Sequence, residues 1–531
     1  MSAPAWLDPR PQVAPGAIAP RPAARTGRKL VLFDNGKLSP PFHDLAPIRV
    51  ALHTLLQALG SVTIETSDLL AEPLDKHATR VAAWRAAGID GIVFALCDAG
   101  VTQTTVMQAA AAELAGIPTA VLCTDQVIDL AATTASFLAP GLPLVCLELD
   151  RLMAAEAMTD RVGRAMPDIG RALTDAPDSL RAAATQRFPF VAGLARPATP
   201  PASDIDFADH AAAHDMTDGL PVRTPTPQAV AALLEHGARP ASDVLIARLS
   251  PSGAALTVEQ AAICAAMAGC PPIAFPLVLA ALDALADPAY RLELASITTH
   301  PSGHLLLFSG PAAHAVGVHA GRGCLGPGNP VNSAISRAVN LAFINVARSV
   351  PGRSTLCLLG SPAQFSCCLA DLRDSPYPDY ATSIAGAAAS GVLALRSEAP
   401  HNVMDHISRS PEALLTTFAS VAATLGANCA YLPSDLIVLL NPEHAAVLAR
   451  ANWSRADIAD FLWQHARNRR ADILVRGVKP EWPAAWHDWE HVPVMLSPAH
   501  IHVVVAGAPG PHSAVSVAWG WGRAIWRPIR S

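Results

Sequence analysis

The sequence predicts an α/β protein, with a parallel-sheet domain on the N-terminal side followed by a larger α/β domain. Three observations carry this. From Lys29 onward, short apolar runs alternate with Ala- and Leu-rich segments long enough for helices, the spacing of βαβ units. The runs show little polar alternation, as expected of strands buried on both faces. Charged residues make up only 15% of the 531-residue chain against a usual figure of about 25%, and hydrophobic residues make up 51%, which excludes disorder for most of it.

Taken in order, residues 1–28 are rich in Pro, Ala and Arg, lack the apolar stretch of an export signal, and are expected to be a flexible lead-in. Strands at 29–33, 62–65, 91–96 and 118–123 alternate with helices at 48–59, 77–87, 101–115 and 125–135. With a helical stretch at 152–184 they make residues 29–185 a Rossmann-like domain. Pro197, Pro200, Pro201, Pro221, Pro225 and Pro227 mark 186–227 as a linker or arm. Residues 228–531 form the larger domain, and a division into lobes 228–350 and 351–531 stays open. Its strands are expected at 243–248, 305–309, 355–359, 391–395, 436–440, 473–475, 493–496 and 501–505, and its helices at 258–268, 333–347, 411–425, 442–449 and 455–466.

Several function classes are excluded. A formal net charge of −6 with no basic stripe argues against a nucleic-acid partner. The longest uncharged stretch, 501–522, is broken by Gly507, Pro509, Gly510 and Pro511, so no membrane span is expected. Ten cysteines without any CxxC spacing fit buried thiols in a cytoplasmic protein rather than a disulfide framework or zinc ribbon.

Two segments of the first domain carry a family likeness. Leu32-Phe33-Asp34-Asn35-Gly36-Lys37 closes the first strand. Asp98-Ala99-Gly100-Val101-Thr102 follows another, and after a helix comes Ala115-Gly116-Ile117-Pro118-Thr119. Residues 29–135 therefore resemble the UGSC family of seleno- or thiol proteins. The resemblance implies a selenocysteine or cysteine where Ala99 stands, a serine at Val101 and a second cysteine at Thr102. With both chalcogen positions replaced, the redox activity it implies is not expected. Cys97 reads as a core thiol, since alternation turns it away from Asp98. What remains is a turn at a helix start, with Asp98 and Thr102 placed to hold a carboxylate or phosphate.

In the larger domain the stretch from Ser309 to Asn329 is glycine-rich and leads into a helix for which Asn332 or Ser333 is a candidate N-cap. Leu325-Gly326-Pro327-Gly328 with Asn332 resembles a run in the larger domain that accompanies the UGSC-like module in some proteins, from which no activity is taken. The loop matches neither a Walker loop nor a dinucleotide fingerprint, so no nucleotide cofactor is expected.

The functional expectation is a cofactor-independent enzyme performing a hydrolysis, hydration or elimination on a small carboxylate-bearing substrate. Arg322, Gly323, Gly326, Gly328, Asn329, Asn332 and Ser333 would bind the substrate, with Asp98, Thr102 and Ser513 as further contacts. His401 follows Pro400 after an apolar run and is the candidate acid or base, Cys324 the candidate nucleophile, and His512 is displayed on the turn after 501–505. One alternative is a divalent-metal hydrolase or lyase using His314, His319, His401, Asp405 and His406, although neither histidine pair has the i, i+4 spacing of a helical zinc site. Another is a non-catalytic UGSC-like binding protein. Late tryptophans at 482, 486, 489, 519, 521 and 526 read as core, with a homo-oligomer interface as the second reading.

Overall fold

In the computed structural model, which describes residues 6–12, 17–21, 27–38, 45–67, 72, 75–98, 100–149, 153–197, 206–296, 298–386, 389–476 and 480–530, the first apolar runs form one parallel sheet. Its strands are β1 (Arg28–Asp34), β2 (Gly60–Thr66), β3 (Gly91–Cys97), β4 (Thr119–Thr124) and β5 (Leu144–Leu147), in the order β2-β1-β3-β4-β5. β3 and β4 are buried along their whole length, while β2 at the edge is only partly covered. Alternation along the strands feeds two helical layers. Val31, Phe33, Ile92, Phe94 and Val121 pack on helices Asp75–Ala86, Thr102–Leu114 and Ile128–Leu138. Leu30, Leu32, Val93, Leu122 and Val145 pack on helices Ala46–Leu56 and Ala155–Thr174.

The larger domain is α/β as expected, but its sheets are mixed rather than parallel. β6 (Val244–Ile246) and β7 (Leu256–Thr257) form a small ribbon. They are followed by β8 (Gly303–Ser309), β9 (Cys368–Ala370), β10 (Gly391–Ser397), β11 (His401–Met404), β12 (Leu436–Leu440), a second ribbon of β13 (Arg467–Arg469) and β14 (His491–Pro493), then β15 (Ile501–Val505), β16 (His512–Val517) and β17 (Ile525–Pro528). Two mixed sheets result, ordered β17-β10-β8-β9 and β11-β16-β12-β15, each with one parallel pair, β8 with β9 and β12 with β15.

The sheets face each other. Leu305, Leu307, Leu369, Leu393 and Leu395 from one meet Ile437, Leu439 and Val504 from the other. The alternate residues Leu306, Phe308, Val392 and Ala394 pack on helices Val258–Ala268, Phe275–Leu285 and Pro330–Ala342. Val403, Val438, Val503 and Val515 pack on helices Pro411–Ala422 and Arg455–His465. The domain is thus four layers, helices outside and two sheets inside, and this explains the low charge content: both faces of both sheets are apolar.

Several expectations are corrected. The boundary near residue 351 does not separate two sheets, because β8 pairs with β9 and β10 from beyond it. Residues 355–359 form no strand: Leu358 and Leu359 are 75% and 91% exposed, outside both sheets. Residues 473–475 form no strand: the helical turn Arg470–Leu474 ends there and buries Ile473 against Trp482 and Trp486. The N-terminal segment is a strap rather than a free lead-in. Trp6 lies in the larger domain's core with its ring 4.9 Å from Phe207, Ile18 lies in the first domain's core, and Arg21 pairs with Glu113. The apolar surface of Trp6 and Ile18 outweighs the Pro-rich composition around them. The arm is also docked, through helix Phe207–Ala213 and through Asp218, which accepts from Arg337 at 2.7 and 2.8 Å.

The two domains touch where Leu356 enters the first domain's core and Ser250 Oγ donates to Gln103 Oε1. No single helix among the described residues is long and apolar enough to cross a membrane. The bent pair Pro272–Leu285 and Pro288–Ala295, which comes nearest by length and composition, lies largely in the larger domain's core.

Candidate functional site

The parallel pairs β8–β9 and β12–β15 end next to each other, joined where the Leu372 N–H donates to Val505 O at 2.8 Å. Such strand ends are where open α/β sheets bind ligands. Ser309 is the last residue of β8 and Asp371 the first after β9. Ser309 Oγ donates to Asp371 Oδ2 at 2.7 Å and accepts the Ala381 N–H at 2.8 Å, and the Tyr380 N–H donates to the same Oδ2 at 2.6 Å. Both donors to the carboxylate, the Ser309 hydroxyl and the Tyr380 N–H, fall on one oxygen.

The other oxygen, Oδ1, has no hydrogen-bond partner although the side chain is only 3% exposed, and His314 Nε2, 3.8 Å away, is buried and equally unpartnered. Two atoms at this separation are spanned by one hydrogen-bonding oxygen about 2.8 Å from each, and in this structure both are closed off from solvent. Burial pushes the Asp371 carboxyl above its ordinary range, against the opposing pull of the Tyr380 N–H and the Ser309 hydroxyl. The short helix Pro311–Val316 carries His314. Its entry residue Gly310 has φ 91°, and a Cβ there would clash with Ala389 O, so only glycine lets the chain turn from β8 to the histidine.

The glycine-rich loop follows directly, and it is braced on itself. Asn332 accepts the His319 N–H at 2.8 Å and donates to the carbonyls of His319, Cys324 and Cys368 at 3.0, 3.3 and 3.0 Å. Asn329 Nδ2 donates to Gly323 O and Gly326 O. Both are therefore braces, not free substrate contacts. Ser333 lies inside helix Pro330–Ala342, whose N-cap position is Asn329. Asn332→Ala is expected to lower stability by about 2–4 kcal/mol, since it orphans several buried backbone groups, with a matching fall in the urea midpoint. A loss under about 1 kcal/mol would show that the loop holds its shape without the brace.

Arg322, Gly323, Gly326 and Gly328 are exposed on this loop, which the Gly507 N–H reaches at Ala320 O, 2.7 Å. Cys324, the candidate nucleophile, is buried. It is packed between the sheets with Leu307, Cys367 and Val504, and burial raises its thiol pKa despite the N–H groups of Leu325 and Gly507 beside it. His401 is an exposed residue opening the edge strand β11. His512 is exposed with Nδ1 3.0 Å from Asn402 Oδ1. Among the described residues no hydrogen bond or ring contact joins His401, Cys324 and His512, so the expected catalytic trio is not assembled.

Ser513 is buried and accepts from the Asn441 amide at 2.9 Å and Nδ2 at 3.1 Å, with its own proton directed to His444 Nδ1 at 2.8 Å. The five residues of the metal reading are also dispersed. His314 stands near Asp371, and His319 Nε2 lies 3.0 Å from Arg322 O. Asp405 accepts from Ile407, Ser408 and Thr417; burial alone would raise its carboxyl, but these hydrogen bonds hold it at about 2. His406 faces His512, ring centres 6.2 Å apart. Among the described residues no group of three or more His, Cys, Asp or Glu side chains could hold a metal ion.

In the first domain the strand order reverses at β1, so the crevice between the ends of β1 and β3 is the topological switch point. Asn35 fills it, donating to Leu96 O at 2.9 Å and Thr105 Oγ1 at 2.8 Å and accepting the Leu96 N–H at 3.3 Å. Asp34 accepts the Gly36 N–H at 2.9 Å and lies 3.3 Å from Arg49. Asn35 thus ties the end of β1 to the end of β3 and to the helix that follows it.

Residues 5–175 match the UGSC family. No curated protein matches the chain. Among solved structures, a C2-type ketoreductase from a modular polyketide synthase is similar over 27% of this chain and 37% of its own, with 21% identity and a TM-score of 0.19.

Within the UGSC segment, Ala99, at the family's chalcogen position, lies outside the described residues. Thr102 is fully buried and donates to Asp98 O at 2.9 Å, so its hydroxyl is not free for a substrate, while the Asp98 carboxylate has no hydrogen-bond partner among the described residues. Cys97 is fully buried, in line with a core thiol. Sequence reasoning missed Glu113, which sits one turn before Gly116-Ile117-Pro118 and gathers the N-terminal strap. It also passed over Asp371, although an acid directly after an apolar strand is the signal that singled out Asp98.

Proposed function

We propose that the protein is a cofactor-independent enzyme of small-molecule metabolism that performs a hydrolysis, hydration or elimination by acid–base chemistry, with Asp371 and His314 as the working pair. The observation that carries this reading is the two buried, unpartnered atoms, Asp371 Oδ1 and His314 Nε2, set 3.8 Å apart at the ends of parallel strands. A carboxyl raised by burial is suited to donate a proton and take it back, and an imidazole beside it offers a second proton-carrying group. Ser309 and the Tyr380 N–H orient the carboxyl through Oδ2. Arg322, exposed on the loop that leaves His314, is the cation available to a substrate carboxylate. Ten free cysteines, eight of them buried, favour a reducing cytoplasm.

The test is to incubate the purified full chain, without added nucleotide, with pooled small carboxylic acids, esters and amides, and to follow each by mass spectrometry. Consumption of at least one compound by the wild type and not by Asp371→Asn supports the reading. Equal consumption by both removes the assigned pair, and no consumption by either favours a non-catalytic binding protein.

A further inference from the structure

Four largely buried arginines have a countercharge or a cage of carbonyls. Arg10 meets Asp8, Arg21 meets Glu113 and Arg337 meets Asp218, while Arg348 donates to the carbonyls of Asp215, Ile344 and His214. Arg396 has neither. It stands near the end of β10, two residues beyond Ala394 and so on the face that packs against the helices, and is only partly exposed. Its Nε donates to Ser302 Oγ at 2.9 Å and its Nη1 to His304 Nε2 at 3.2 Å. Among the described residues, no acceptor reaches Nη2 and no carboxylate lies within ion-pair distance of the guanidinium.

His304 cannot neutralise this charge. A guanidinium only donates, so His304 Nε2 is the acceptor, and the imidazole proton sits on Nδ1 and goes to Tyr290 Oη at 2.6 Å. Phe343 stacks on the ring at 4.9 Å, and burial, together with the neighbouring guanidinium, keeps the imidazole neutral. Two residues before Ser302, His300 Nδ1 is also buried without a partner. The result is a fixed guanidinium fork, held by two neutral groups, with one edge open. Withdrawing such a charge from water without a counter-ion is costly, and a planar fork with a free edge matches the geometry of an oxyanion.

We propose that Arg396, oriented by Ser302 and His304, binds an oxyanion, the carboxylate or phosphoryl group of a small metabolite. The site is separate from the Asp371–His314 pair. His304 and Ser309 lie five residues apart along β8, about 17 Å, so the inference does not depend on the acid–base reading.

Thermal unfolding of the full chain tests it, with inorganic phosphate and acetate added separately and chloride holding the ionic strength constant. At saturating anion the wild type is expected to gain about 2–4 °C with at least one of the two, and Arg396→Met to gain nothing. No gain with either anion in the wild type, or the same gain in Arg396→Met, overturns the proposal. Should Arg396→Met fail to fold, Arg396→Lys is measured instead. Several-fold weaker binding of the effective anion supports the site, because an ammonium cannot reproduce the fork, and unchanged binding overturns it.

Discussion

Asp371→Asn is expected to give a folded protein that is more stable at neutral pH than the wild type and turns over its substrate about 10²–10⁴-fold more slowly. The loss follows from the proton: an amide keeps the shape of the carboxyl and its contact with Ser309, but it cannot be exchanged between acid and base. The gain follows from linkage. The folded carboxyl is raised above its unfolded value by burial, so the native state holds its proton more tightly than the unfolded chain does. The stability this contributes is complete below the unfolded value, about 3.9, and is lost as pH rises through the folded value. Asparagine mimics the protonated form and escapes that loss. The difference in Tm between variant and wild type should therefore be positive at pH 7 and shrink as pH is lowered towards 4. A variant less stable than the wild type at pH 7 would show Asp371 to be a structural brace. Higher stability with lower activity is the signature of a group kept for function.

Glu113→Ala is expected to destabilise the UGSC segment by about 3–5 kcal/mol, a fall of roughly 10 °C in Tm. Glu113 is fully buried and accepts five hydrogen bonds: from the Ala19 N–H, from Arg21 through both Nη1 and Nη2, and from the Thr119 N–H and hydroxyl, all at 2.7 to 2.8 Å. Removing the carboxylate leaves the Arg21 guanidinium, whose side chain is 1% exposed, with only the carbonyls of Ala19 and Ala172, and it releases the strap as well as the start of β4. Urea unfolding of the two proteins, with limited proteolysis near Arg21, reads both effects. A change below about 1 kcal/mol would mean that the strap is undocked in solution.

Much of the first domain is legible because its information is local. The apolar runs that become β1, β3 and β4, and the helices between them, follow from burial on both faces of a parallel sheet. The Asp34-Asn35 and Asp98 turns fall at strand ends for the same reason. In the larger domain, local pattern locates β8, β10, β12 and β15 but misplaces others. Residues 355–359 are as apolar as a strand and lie outside both sheets, while β9, only three residues long, offers too short a run to be found. The candidate site suffered most. Histidines in glycine-rich or polar loops look available, yet His401 and His512 are exposed and apart. Asn332, which looks like a ligand, is consumed by backbone carbonyls.

The sequence by itself determined the α/β class, the order of strands and helices through the first domain, and the likeness to the UGSC family. Each of these depends on composition or on neighbours a few residues away. Only the tertiary structure decided that the larger domain stacks two mixed sheets, that the N-terminal segment straps both domains, and that Asp371 and His314 face each other while Arg396 has no counter-ion among the described residues. Those facts depend on which strands pair and which faces they present, and packing between residues distant in the chain sets them rather than local preference.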